Sequence, residues 1–171
     1  MSLPASPKRA RRAGRTGPAS VPTKAWPLPR TIHFVASSGH ELGHLGINAF
    51  IEARPGLVRA TAGWLHLGAN IGAAVDASNM LQSSQDDLDA ALTRAMSGVS
   101  LAVDQRAPRG RVPSGEAEAV HRGGGRYVSV IGGNGLFHNL EDRGPAAIDP
   151  MRIARFAGAF TSLVRAECTT A

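Results

Sequence analysis

The stretch HFVASSGHELGHLG, residues 33–46, decides how the folded part of this chain is interpreted. It opens with β-forming residues, passes through a Ser-Ser-Gly turn, and continues into a segment with apolar residues at helical spacing. This order predicts a strand over residues 31–37, then a turn, then a helix that ends before Pro55. His40 and Glu41 are therefore expected just beyond the end of a strand.

The rest of the chain continues the alternation of strand-like and helix-like segments. Two further apolar runs and two further helical patterns follow, at residues 63–70, 83–98, 123–135 and 149–166. We expect Ser84 and Asp149 to cap the two helices, since serine and aspartate satisfy the free N–H groups of a first turn. Regular alternation of strand and helix predicts an α/β fold, a three-layer sandwich with a mostly parallel sheet.

Polar side chains follow all three predicted strands. His40 and Glu41 follow the first strand, Asn70 the second and His138 the third. Ligands of open α/β sheets bind beyond the carboxyl ends of the strands, so these residues are expected at one edge of the sheet.

Composition divides the 171-residue chain into two parts. Residues 1–30 contain seven of the 19 lysines and arginines and no acid, whereas the remainder has 12 basic against 13 acidic residues. We predict a disordered basic leader over residues 1–30 and a single domain over residues 31–171.

Nucleic-acid binding is not expected of a nearly neutral domain and would require the basic leader. The leader lacks the apolar core of a secretory signal and no run is long enough for a membrane span, so we expect a cytoplasmic protein.

His40-Glu41-Leu42-Gly43-His44 also spells the H-E-x-x-H motif of zinc proteases. On a helix, two histidines four residues apart share one face and can bind zinc, with the glutamate as general base. This zincin alternative would use His40 and His44 as ligands. It needs a helix through the motif, whereas the flanking pattern predicts a strand and a turn, so we favour a metal loop that runs into a helix.

Residues 33–46 resemble the strand-loop-helix segment of the two-zinc aminopeptidase family, which includes glutamate carboxypeptidase. In that family a strand ends in a Glu-Glu pair that is followed by x-Gly. Residues 135–160, GLFHNLEDRGPAAIDPMRIARFAGAF, resemble the family's last metal loop: a histidine, an acidic turn, an aspartate and a closing helix. The resemblance covers the chain from about Thr31 to Val164, in the family's order.

The resemblance implies a zinc site that holds one or two ions. Glu41 takes the position of the ligating glutamate and His138 that of the C-terminal histidine, while Asp142 would orient the histidine loop from the second coordination shell. His40 stands where the family has its glutamate base, and is expected as base or third ligand. No carboxylate stands at the family's aspartate position, which leaves His66 or Asn70 to complete the set.

The family's first histidine and bridging aspartate lie upstream, where this chain has only the basic leader. The chain therefore resembles the C-terminal part of the family alone, and we expect a fold truncated at its N-terminal side.

Two functional hypotheses follow from these residues. The first is a zinc-dependent, aminopeptidase-like hydrolase acting on a peptide or amino-acyl substrate, in which the metal activates water. The second is a non-catalytic remnant of that fold that acts through protein–protein contacts. An open strand edge and an uncovered apolar face would favour a homodimer.

Overall fold

The structure is a computed structural model that describes residues 29–169. The predicted basic leader lies outside the described residues, except for its last two positions. The strands are β1 (Trp64–Leu67), β2 (Ser78–Ser83), β3 (Gln105–Arg106) and β4 (Tyr127–Gly133). The helices are α1 (Leu45–Glu52), α2 (Leu57–Ala60), α3 (Asp86–Ser97), α4 (Ala117–Arg122) and α5 (Pro150–Thr169), with a 3₁₀ turn at His40–Leu42.

The four strands form one mixed sheet in the order β1-β4-β2-β3, which confirms the predicted α/β class. β1 runs parallel to β4, with Trp64 opposite Tyr127 and His66 opposite Ser129. β3 is parallel to β2, but the central pairing of β2 with β4 is antiparallel. The prediction of a mostly parallel sheet is therefore wrong at the centre of the sheet.

The antiparallel pairing comes from β2, a strand that the sequence pattern did not predict. Its residues, Ser-Asn-Met-Leu-Gln-Ser, are largely polar, yet Asn79, Leu81, Gln82 and Ser83 are buried. Asn79 holds its place through Asp104, whose Oδ2 accepts bonds from the backbone N (2.8 Å) and the side-chain Nδ2 (2.9 Å). Hydrogen bonds thus allow a polar segment to occupy a central strand.

The predicted strand over residues 31–37 is wrong: residues 31–39 adopt neither strand nor helix. Phe34 is 94% exposed in this segment. β1 is an edge strand, and within residues 29–169 no strand pairs with residues 31–37. High β propensity does not produce a strand without a neighbour, because the stability of a sheet lies in its cross-strand contacts.

Two apolar clusters lie on opposite faces of the sheet, because consecutive residues of β4 point alternately to either side. Val128 and Val130 pack with buried residues of α3 and α5, among them Leu92 and Phe156. On the other face, Tyr127 packs with a smaller cluster from α2 and α4, formed by Val58, Ala117 and Val120. His66 and Ser129 point to this second face, beside the smaller cluster.

The two long predicted helices are confirmed as α3 and α5. Asp149 caps α5 as expected, since its Oδ1 accepts bonds from the N–H groups of Met151 (2.8 Å) and Arg152 (3.1 Å). None of the helices described between residues 29 and 169 combines the length and apolarity that crossing a bilayer requires.

Candidate functional site

A tight loop places His40 beside the sheet. Gly39 has φ 71° and the N–H of Leu45 returns to its carbonyl at 3.2 Å, while Gly46 N–H bonds the Ser38 carbonyl at 2.9 Å. A Cβ on Gly46 would lie 2.6 Å from the backbone N of Ser38, so the loop needs glycine there. The chain thus doubles back at residues 38–46 and presents His40 at its turn.

Glu116, the residue that precedes α4, joins two histidines. Its Oε1 lies 3.1 Å from Nδ1 of His40, and its Oε2 lies 3.5 Å from Nε2 of His66. Ser37 Oγ lies 3.5 Å from the same Oε1. The carboxylate therefore connects the loop, the start of α4 and strand β1, three parts of the chain that are far apart in sequence.

Strand β4 holds the ring of His66 in place. Its Nδ1 lies 2.7 Å from the Oγ of Ser129, the residue opposite it on β4. Gly115 closes over the ring: it has φ 71°, and a Cβ there would lie 3.1 Å from Cε1 of His66. The imidazole is thus fixed on both sides, with Nε2 facing Glu116.

Burial and neighbouring charges determine the ionisation states of Glu116 and His66. Burial raises the pKa of Glu116, but the hydrogen bond with His40, a backbone hydrogen bond and the electrostatic influence of the two imidazoles outweigh burial and hold the pKa below its ordinary value. Burial lowers the pKa of His66 by more than the Glu116 carboxylate raises it, and the charges of His40 and His44 lower it further. At neutral pH the cluster therefore holds a carboxylate beside a neutral His66 imidazole.

Of the predicted ligands, the structure brings His40 and His66 together. Glu41 is exposed on the 3₁₀ turn, and Asn70 lies in a turn after β1 with φ 61°. His138 is exposed and its ring stacks edge-on against Phe137, with centroids 4.0 Å apart. Within the described residues, no hydrogen bond or ion pair links the side chains of these three residues to Glu116, so they do not belong to the cluster around this carboxylate.

Asp142, expected to orient the His138 loop, does stabilise that loop, but through Asn134. Asn134 Nδ2 donates to Asp142 Oδ1 at 3.0 Å, and Asn134 Oδ1 accepts from the Leu136 N–H at 2.9 Å. The carboxylate thus fixes the turn that leaves β4 and makes no bond to His138.

The zincin helix is also absent. Gly43 and His44 both have left-handed backbone angles, φ 80° and 60°, and α1 begins only at Leu45. The motif therefore forms a 3₁₀ turn and then two residues with left-handed backbone angles, a loop that leads into α1. The His40 and His44 rings nevertheless lie close, with centroids 4.9 Å apart.

Two residues of the cluster were missed in the sequence. Glu116 reads there, with Glu118, as one of two glutamates that alternate with alanines, the pattern of a solvated loop or helix edge. Ser129 did carry a signal: it is the one polar residue in the apolar run Tyr127–Ile131, and polar groups at buried strand positions need a partner. As placed, no three His, Cys, Asp or Glu side chains within residues 29–169 could hold a metal ion.

No family model, no curated protein and no solved structure matches the chain. The aminopeptidase resemblance thus rests on the two motifs alone, and the activity it implies stays a prediction.

Proposed function

We propose that the chain is a zinc-dependent hydrolase with a three-layer α/β architecture that acts on peptide or amino-acyl amides. The observation that carries the proposal is the Glu116 carboxylate between the imidazoles of His40 and His66. The choice of an amide substrate rests on the resemblance of residues 33–46 and 135–160 to the two-zinc aminopeptidases.

The donor types suit zinc. Two imidazoles and one carboxylate are a ligand set of catalytic zinc sites, which leave one position open for water. Donor atoms that share a tetrahedral zinc lie about 3.3–3.5 Å apart, close to the 3.1 and 3.5 Å measured between Glu116 and the two rings. However, each histidine meets a different carboxylate oxygen, and the three side chains do not form a ready site.

Zinc uptake by this cluster therefore requires side-chain movement, and exposure indicates which side chain moves. The His40 side chain is 50% exposed and that of Glu116 is 22% exposed, whereas His66 is only 13% exposed. His66 is the fixed donor, and His40 is the one with freedom to turn. Bound zinc would polarise the amide carbonyl and lower the pKa of its water.

The chain's own residues prepare this site before any ion binds. Glu116 is ionised and His66 neutral at neutral pH, the forms in which carboxylate and imidazole ligate metals. Ser129 Oγ lies 2.7 Å from Nδ1 of His66 and so holds the ring in place beside Glu116. The exposure of His40 leaves the cluster open to solvent and thus to a substrate.

Zinc content of the purified full chain tests the proposal, measured by elemental analysis after dialysis. We expect about one zinc per chain, and at least tenfold weaker binding in Glu116→Gln and His66→Asn, since each loses a ligand. His138→Ala is the matched control and should keep its zinc. A parent without zinc would refute the proposal, and loss in His138→Ala with retention in Glu116→Gln would restore the ligand set implied by the resemblance.

A second candidate function, binding of a partner protein without catalysis, is favoured by a different observation. Phe34 is 94% exposed in a segment of β-forming residues, and β1 is an edge strand. Edge strands accept additional strands from other chains, and exposed apolar side chains gain from being covered.

A further inference from the structure

Ser129 has a hydroxyl with a single partner. The residue is 2% exposed in the middle of β4, and its Oγ lies 2.7 Å from Nδ1 of His66. Among residues 29–169 this is the only hydrogen bond of the Ser129 side chain, and no buried side-chain polar atom there lacks a partner. Within the described residues, the Ser129 hydroxyl therefore depends on His66 for its hydrogen bond.

A hydroxyl carries one proton, and that proton needs an acceptor when it is buried. Within residues 29–169, the acceptor found at this hydroxyl is Nδ1 of His66. If Nδ1 carried its own hydrogen, it would donate to Oγ and leave the buried hydroxyl proton without a partner, which is unfavourable. The favourable arrangement has the hydroxyl donating, Nδ1 unprotonated, and the imidazole hydrogen on Nε2.

We propose that Ser129 is a positioning residue that donates to His66 Nδ1 and so aims the Nε2 hydrogen of His66 at Glu116. The direction of the first bond follows: Ser129 donates to His66 Nδ1. Nε2 of His66 then faces Oε2 of Glu116 at 3.5 Å, while Nδ1 of His40 lies 3.1 Å from Oε1. One carboxylate is thus held from two sides by imidazoles, one of which is anchored in the sheet.

This inference deepens the proposed function and, in its consequence for zinc, rests on it. A neutral imidazole that ligates a metal through Nε2 carries its hydrogen on Nδ1 and donates it to a neighbour. A serine hydroxyl can accept as well as donate, so Ser129 can accept from Nδ1 of a zinc-bound ring, but its own proton then loses its acceptor. Alanine can serve neither state, whereas threonine keeps the hydroxyl.

The direct test is ¹⁵N NMR of the histidine rings in the metal-free full chain at neutral pH. We expect His66 Nδ1 to resonate as an unprotonated nitrogen shifted by an accepted hydrogen bond, and Nε2 as a protonated nitrogen. In Ser129→Ala the Nδ1 signal should move toward that of a free lone pair, and in Ser129→Thr it should stay. His121, whose Nδ1 lies 3.2 Å from the Tyr127 hydroxyl, is the internal control and should not change.

A protonated Nδ1 in the parent, or an unchanged Nδ1 signal in Ser129→Ala, would overturn the inference. If threonine does not fit the strand, Ser129→Cys supplies a weaker donor and should give an intermediate shift. If the parent binds no zinc, the proposed function fails while the NMR result still decides the role of Ser129.

Discussion

At the scale of single residues, Gly132 shows where the backbone leaves no room. A Cβ at this position of β4 would lie 2.1 Å from the backbone oxygen of Asn70, and the Gly132 N–H bonds the Ala69 carbonyl at 2.8 Å. The turn after β1 therefore packs directly against the main chain of β4. A side chain here must displace backbone rather than another side chain.

Gly132→Ala should accordingly destabilise the protein by about 1–3 kcal/mol, the typical range of overpacking in a well-packed environment. Gly98→Ala is the matched control, because Gly98 has φ −63° and its nearest neighbour would be 3.5 Å from the new Cβ. Denaturant unfolding measures both. Equal stabilities for the two variants would show that the turn at residues 68–72 yields to the extra methyl group.

Single residues also show which contacts could be predicted from the sequence. Asp149 was predicted as a cap and is one, because the signal lies within four residues of chain. Ser84 was predicted as a cap and instead exchanges bonds with the main chain of Tyr127, at 2.8 and 3.2 Å, which no local pattern encodes. Glu116 was missed for the same reason, since its partners His40 and His66 are 76 and 50 positions away.

At the scale of elements, apolar periodicity predicted α3, α5, β1 and β4, because each buries one face or run of apolar residues. It missed β2, where side-chain hydrogen bonds replace apolar contacts. It also predicted a strand over residues 31–37, whose β-forming residues have no strand to pair with among residues 29–169. Strand propensity is thus neither necessary, as β2 shows, nor sufficient, as residues 31–37 show; a neighbouring strand decides.

The segment at residues 31–37 leads to a prediction about assembly. If its exposed Phe34 and the open edge of β1 serve partner binding, the protein should associate with itself at high concentration, and Phe34→Ser should return it to a monomer. Leu140→Ser, which removes a comparably exposed apolar side chain elsewhere, should leave association unchanged. Sedimentation velocity measures the mass, and a parent that is monomeric at every concentration would argue against this function.

At the scale of the whole molecule, Arg126 connects both helices of the larger core to the sheet. Its Nη1 donates to Glu167 of α5 at 2.7 Å and to the Ala62 carbonyl before β1 at 2.9 Å, and its Nη2 donates to Asp87 of α3 at 2.7 Å. A single guanidinium thus holds together segments that are distant in sequence. Its geometry suits the task, because it offers several donors in one rigid plane.

The same network gives stability a dependence on acid pH. The hydrogen bond from Arg126 holds the pKa of Asp87 below its ordinary value. A carboxyl whose pKa is lower in the folded than in the unfolded state stabilises the fold above its unfolded pKa, and this contribution disappears as pH falls through the folded value. We therefore expect the Asp87–Arg126 coupling to be present at pH 7 and to disappear as the pH falls through the lowered pKa of Asp87.

A double-mutant cycle isolates this coupling from the other bonds of Arg126. Asp87→Asn, Arg126→Gln and the double variant should give a coupling free energy below about 1 kcal/mol at pH 7, since Asp87 is largely exposed and solvent weakens the pair. Urea unfolding repeated down the pH range should show that coupling vanish on the acid side. Coupling that persists at the lowest pH would mean that Asp87 holds Arg126 through its shape and neutral hydrogen bonds, with charge playing no part.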